Sequence, residues 1–287
     1  MDVKTLVLFA FHIAIAGTVF SYGLQATRDD VLYLAIRPGL LLRSLLAVLV
    51  IVPVVVIVCV KLLDLPQPTG VVLVALAISP VPPLLPAREK KAGGATSYGL
   101  ALLLLLGLGA IVTVPLWVAL LDLVFAQPLA MRPDAIVKIV LTMVVAPLVA
   151  GLLFSKLAPR GARALLVPVR RVANGLLAAG VLALLAGTWR AIWSVTGHGT
   201  VLAIIAFVLL GLLVGHMLGG PAREHASVLA LSTASRHPAI AMAVASANYP
   251  GEQFAPTLIL YLILCAGVAL PYVKWQRRRA RSIPDFP

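Results

Sequence analysis

Acidic side chains are scarce in this chain. Ten Asp and Glu stand against 23 Lys and Arg among 287 residues, a formal net charge of +13. All ten carboxylates fall at predicted segment ends or in loops, so none is expected at mid-membrane to ligate sodium or relay protons. Charged residues of both signs make up only 11% of the chain. With 61% hydrophobic residues and a mean hydropathy of +1.06, a soluble fold of this length is excluded, because it could not bury that much apolar surface. Cysteine is nearly absent. Cys59 and Cys265 both lie in apolar segments without metal or redox spacing, which leaves packing thiols. No Ser/His/Asp or His/Glu spacing supports a membrane enzyme, and no nucleic-acid motif occurs. His12, His198, His216 and His225 form no metal pattern and read as packing or interface residues. Residues 5–24 lack a basic n-region and a small-residue cleavage site, so no cleavable signal is expected.

What the chain has is long apolar runs. Nine are expected to span: 5–24, 39–62, 70–86, 96–121, 136–155, 172–190, 201–219, 225–247 and 254–274. Seventeen Lys and Arg fall on the face holding the C-terminus and the loops after the first, third, fifth and seventh segments, and five on the other face. By the positive-inside rule the C-terminus is cytoplasmic and the N-terminus external. The basic loops and the RRRAR tail need no role beyond topology and contact with anionic lipid.

Two segments are interrupted. Residues 224–234 are followed by Ser235-Arg236-His237-Pro238. Glu224 to Ser235 climbs roughly 18 Å as helix, about half of a 30 Å hydrocarbon core. Pro238 has no N–H to donate and biases His237 away from helical geometry. An arginine at that depth must line a cavity or find partners. The third segment carries Pro80, Pro82, Pro83 and Pro86 after Ser79, which prevents continuous helical hydrogen bonding. Each interrupted segment precedes one long unbroken one. This recurrence predicts an all-α polytopic membrane protein of two inverted repeats, four segments plus five, with two broken helices crossing at mid-membrane. The expected organisation is a single transporter domain over 1–287, with a first repeat at 1–130, a second at 131–275 and a basic tail at 276–287.

The stretches FSYGLQATRDDVLYLAIRPGLLL at 20–42, Pro53, SPVPPLLPAREKKAGG after ALAI, and TASRHPAIAMAVASANYP at 233–250 resemble the bile acid:sodium symporter family. That family belongs to the wider bile, arsenite, riboflavin and auxin-type transporter group. The resemblance covers nearly the whole chain as a pattern. It implies ten helices in two five-helix repeats, with a core domain moving against a panel domain; this chain is similar to the family from its second helix onward. The resemblance also exposes departures. The family's Pro-Gly-Gly turn is Pro80-Val81-Pro82 here, and its Ser-Asn pair falls at about Leu85 and Pro86. Its sodium-binding glutamate and Gln-Asn-Ser fall at about Ser232 and Arg236-His237-Pro238, and a glutamine of the preceding helix at Val48. Sodium coupling is therefore not carried over.

The expected function is a secondary transporter that moves a small organic anion by alternating access. The core would comprise segments 2, 3, 4, 7, 8 and 9, and the panel segments 1, 5 and 6. The expected substrate-binding residues are Arg236, His237, Pro238, Ser235, Ser79, Pro80 and Pro82. Arg236 offers a planar cationic fork, and the helix starting at Pro238 offers free amides and a positive dipole end. Ser232, Thr233, Thr96 and Ser97 are candidates for a weak cation site built of hydroxyls. The competing role for Arg236 is to tie down the carbonyls of the opposing interruption around Ser79 to Pro82. His237 is the one candidate for proton coupling near the midplane, and its other reading is a simple hydrogen-bonding histidine. No cofactor is expected, and the partners are the anion and the lipid bilayer, of a bacterial inner membrane. An uncoupled uniporter or exporter, and a ligand-binding module that does not transport, are the alternatives.

Overall fold

The computed structural model describes residues 3–125 and 133–281. The expected division between halves at 130 and 131, Arg132, and the last six residues of the basic tail lie outside them. Among the described residues every regular element is helical. In chain order these are α1 (Val3–Gly23), α2 (Arg28–Leu32), α3 (Pro38–Leu45), α4 (Val52–Leu62), α5 (Gln67–Ile78), α6 (Leu85–Lys91), α7 (Thr96–Phe125), α8 (Pro133–Val140), α9 (Ala146–Leu157), α10 (Pro159–Ser194), α11 (Thr200–Leu218), α12 (Arg223–Ala234), α13 (Pro238–Asn248) and α14 (Ala255–Arg281).

Helices α3 and α4 are one rod joined by a π-helical turn at Leu46–Ile51, and α8 and α9 are joined the same way at Leu141–Val145. Proline explains the first of these turns. Pro53 has no N–H for the Leu49 carbonyl, and the preceding turn widens around it. The freed carbonyl takes a hydrogen bond from Trp117 Nε1 of α7 at 3.0 Å. A backbone group that lipid could not satisfy is thus satisfied by a neighbouring helix.

Seven helical rods among the described residues are long and apolar enough to cross a membrane. Nine spans were expected. The other two, 5–24 and 70–86, correspond to the shorter apolar helices Phe9–Gly23 and Gln67–Ile78. The second is short because the proline run stops α5 after twelve residues. Large apolar side chains such as Val112, Leu153 and Leu213 are exposed along the rods, as lipid-facing positions are.

The helices pack as two groups. Helix α1 lies against α9 and α10. A Cβ on Gly23 or on Gly151 would strike the backbone of the opposing helix, so two glycines let α1 and α9 touch. In the second group α11 packs along α12 and α14, and α5 packs against α4 and α13. Gly211 and Gly215 on α11, and Gly219 just past its end, form a stripe against the backbone of α12 at Thr233–Ala234, Leu229–Ala230 and Ala226. Thr233 seals this contact, its Oγ1 donating to the Gly211 carbonyl at 2.6 Å. This close packing holds α12 in register beneath the charged tetrapeptide.

Candidate functional site

The backbone is extended at Ser235 and His237, between the last residue of α12 and the first of α13. Pro238 takes the first position of α13, where its fixed φ fits and its missing N–H costs nothing. On the other side α5 ends at Ile78 and α6 begins at Leu85. The two interruptions touch. The His237 N–H donates to the Pro80 carbonyl at 2.8 Å.

Arg236 sits at the centre and is only 1% exposed. Its Nε donates to the Thr233 carbonyl at 3.1 Å, Nη1 to the Ser79 carbonyl at 3.2 Å and Nη2 to the Val48 carbonyl at 3.1 Å. Its own N–H donates to the Tyr261 hydroxyl at 2.6 Å. One guanidinium thus bridges α12, the end of α5 and the π-helical turn between α3 and α4. These carbonyls are free for reasons visible locally: Thr233 and Ser79 end their helices, and Val48 lies in the widened turn. No carboxylate pairs with Arg236 among the described residues.

The other expected substrate residues surround this point. The Ser79 hydroxyl is buried and donates back to the Leu76 carbonyl at 2.8 Å. Ser235 Oγ lies 3.6 Å from Cys265 Sγ. The carbonyl of half-buried Pro82 accepts from the Leu85 N–H. His237 is 3% exposed, and neither ring nitrogen has a hydrogen-bond partner.

Three of the four hydroxyls expected to form a cation site have separate partners. Thr233 bonds main-chain carbonyls of α11 and α12. Thr96 is exposed at the start of α7. Ser97 donates to Asp30 Oδ1, and Asp30 closes a capping box with Thr27 at the start of α2. Burial alone would raise the Asp30 carboxyl, but hydrogen bonds from Ser97 and Thr27 outweigh it and hold the group below the ordinary carboxylate value. Ser232 Oγ donates to Glu89 Oε1 at 2.7 Å.

That last bond corrects the acidic inventory. Glu89 was placed among loop carboxylates, yet it is 2% exposed inside the protein and contacts α12. Its helix, α6, turns Leu85, Pro86 and Glu89 inward while Lys90 and Lys91 stay exposed. The i, i+4 spacing of Leu85 and Glu89 is the sequence signal that would have found it.

The sequence profile of the Sodium Bile acid symporter family matches residues 12–194, more than half of the chain. The chain belongs to this family. It is accordingly an integral membrane transporter of the bile acid:sodium symporter type. The match covers the first interruption and ends before the second, so the Arg236 tetrapeptide lies outside it. The comparison with curated proteins found no match.

Proposed function

We propose that this symporter-family chain carries a small organic anion by alternating access, with Arg236 supplying the positive charge at the crossing of two broken helices, so that no sodium ion is required. The observation that carries this reading is the Arg236 geometry. Three main-chain carbonyls from three helical segments converge on one cation, as they would on a bound metal ion, and here the cation is part of the chain. Carbonyl dipoles solvate the charge but do not cancel it, and the start of α13 adds its own positive end. An anion passing this point meets a favourable field that needs no co-bound sodium ion.

A cleft of about 200 Å³ supports an organic rather than inorganic substrate. It is lined by apolar residues including Val74, Val118 and Val244, with Gln67, Asn248 and Tyr249 as polar contacts. Ala75 and Val244 on its wall are roughly 6 and 9 Å along their helices from Ser79 and Pro238. With the C-terminus cytoplasmic, the cleft opens on the external side. The group α1, α8, α9 and α10 would serve as the panel, and the remaining helices as the core that moves against it.

The test is counterflow in proteoliposomes of labelled taurocholate, benzenesulfonate and glutarate, run in sodium and in choline. Exchange of an anion at the same rate in both salts is the expected result. Exchange that needs sodium overturns the built-in cation, and absence of counterflow for all three overturns transport of this class.

A further inference from the structure

Glu89 is unused by the reading above, yet its environment is unusual. Oε1 accepts from Ser232, while Oε2 is buried with no hydrogen-bond partner. No Lys or Arg forms an ion pair with it among the described residues. On its own helix Lys90 and Lys91 are exposed, and Arg88 is half-buried. The titratable groups facing it are the Tyr98 hydroxyl of α7 and the Tyr22 hydroxyl of α1. Tyr22 lies against the Ala87 backbone, and Tyr98 bonds Ser44. From α12 come Ser232 and, at the far end, exposed Glu224 and half-buried His225, the latter bonded to Tyr33. From α14 comes buried Gln276, whereas Lys274, Arg277, Arg278 and Arg279 are exposed. An ionised carboxylate in such a place carries a heavy desolvation cost that the single hydrogen bond from Ser232 offsets only in part, while the neutral acid does not.

We propose that Glu89 is the proton-binding group of this carrier, taking up one proton with the anion on the external side and releasing it to the cytoplasm. The proposal rests on the transport reading and deepens it by naming the coupling ion. Sterics favour a proton over a metal ion. Oε2 lies against the backbone of Gly99, so closely that a Cβ there would collide with it, and among the described residues Ser232 supplies the one hydroxyl hydrogen-bonded to the carboxylate. That space admits a hydrogen atom and excludes a cation needing a shell of oxygen ligands. The proposed route is a neighbouring cleft. A cleft of about 350 Å³ lies between α6, α12 and α14, lined by Ala92, Arg223, Glu224, Ser227 and Gln276. These are three of the helices that enclose Glu89. In the closed arrangement the acid is neutral. Widening of this cleft hydrates Oε2, the proton leaves to water, and the Ser232 hydroxyl continues to donate to the carboxylate. One proton moving with one monovalent anion transfers no net charge.

Two measurements test this. The first needs no substrate: infrared difference spectra of the full chain in lipid, recorded as pH is stepped across neutrality. A carboxylic C=O band that titrates in the wild type, is lost in Glu89→Gln and shifts in Ser232→Ala supports the proposal. A wild type without such a band, or a band that persists in Glu89→Gln, overturns it whether or not the protein transports. The second uses whichever of taurocholate, benzenesulfonate or glutarate exchanges fastest, with the membrane potential clamped. A monovalent anion should accumulate about tenfold per unit of inward pH gradient in the wild type. Glu89→Gln should show no gradient-driven accumulation, and Glu89→Asp should restore part of it. Gradient-driven accumulation that survives Glu89→Gln overturns the proposal. If none of the three anions exchanges, the transport reading fails, and the infrared result alone decides protonation.

Discussion

The segments 79–84 and 235–237 interrupt their helices by different means. The first is built from prolines and carries no charge; what it presents inward is carbonyl oxygen, from Ser79 and Pro80. The second contains no proline, the next helix starting at Pro238, and presents donors: the Arg236 guanidinium and the His237 N–H. A proline-rich interruption removes N–H groups and leaves acceptors. An Arg-His interruption keeps every N–H and adds more. The two are complementary as acceptor and donor, which lets two unwound segments satisfy each other where water is scarce. The lesson is that an interrupted helix in a membrane needs a partner of opposite hydrogen-bonding character, and that a side chain can take the place of a bound ion in meeting that need.

Removing the donor side should have the largest effect. Arg236→Gln leaves the carbonyls of Val48, Ser79 and Thr233 short of donors in a buried site. Each orphaned buried acceptor costs about 1–3 kcal/mol, so a loss of roughly 3–5 kcal/mol is expected. Thermal unfolding in detergent should report it. Arg236→Lys keeps the charge but gives up the planar fork, and should fall between the wild type and Gln. A Gln variant that melts with the wild type would show that the two interruptions do not depend on each other.

Much of the helical framework was legible from apolar run lengths. The run 201–219 corresponds to Thr200–Leu218, and 39–62 to the rod Pro38–Leu62. The run 172–190 understated α10, which extends from Pro159, because four arginines before 172 are helical while being too polar to read as a span. Site partners were less legible. The prolines marked where helical hydrogen bonding fails, but the carbonyls that hold Arg236 have no sequence signature, and Val48 is an ordinary apolar residue until a π-helical turn frees its oxygen. Ser97 and Asp30 meet across 67 positions, a pairing that no local pattern encodes. Glu89 was missed because it stands among basic residues that point outward, and its own inward direction depends on which face α6 turns to α12.

A smaller effect should follow from loosening what supports the donor side. A Cβ at Gly215 would meet Thr233 Oγ1, the Leu229 carbonyl and the Ala230 Cα. Gly215→Ala should therefore push α12 from α11 and cost about 1–3 kcal/mol. Gly187→Ala, in α10 with open space around it, should cost nothing and serves as the control. Equal melting of the two variants would mean the glycine stripe does not position α12. Tyr261→Phe comes next. It removes the hydroxyl that accepts from the Arg236 N–H and lies 3.3 Å from the Ala234 carbonyl, at a cost of about 1–2 kcal/mol in the same melt.

The smallest effect should come from the acceptor side. Pro80→Ala leaves the Pro80 carbonyl, which takes the His237 N–H, and leaves Pro82 and Pro83 to keep the segment from coiling. The change adds backbone freedom to the unfolded chain and one N–H to the folded one, so a loss within about 1 kcal/mol is expected. The double variant Pro80→Ala, Arg236→Gln sharpens the contrast. If the two interruptions hold each other only through main-chain carbonyls and their donors, the proline change should add its own small cost and nothing more. A strongly non-additive double variant would mean that the proline rings themselves, and not the carbonyls they expose, shape the site that Arg236 fills.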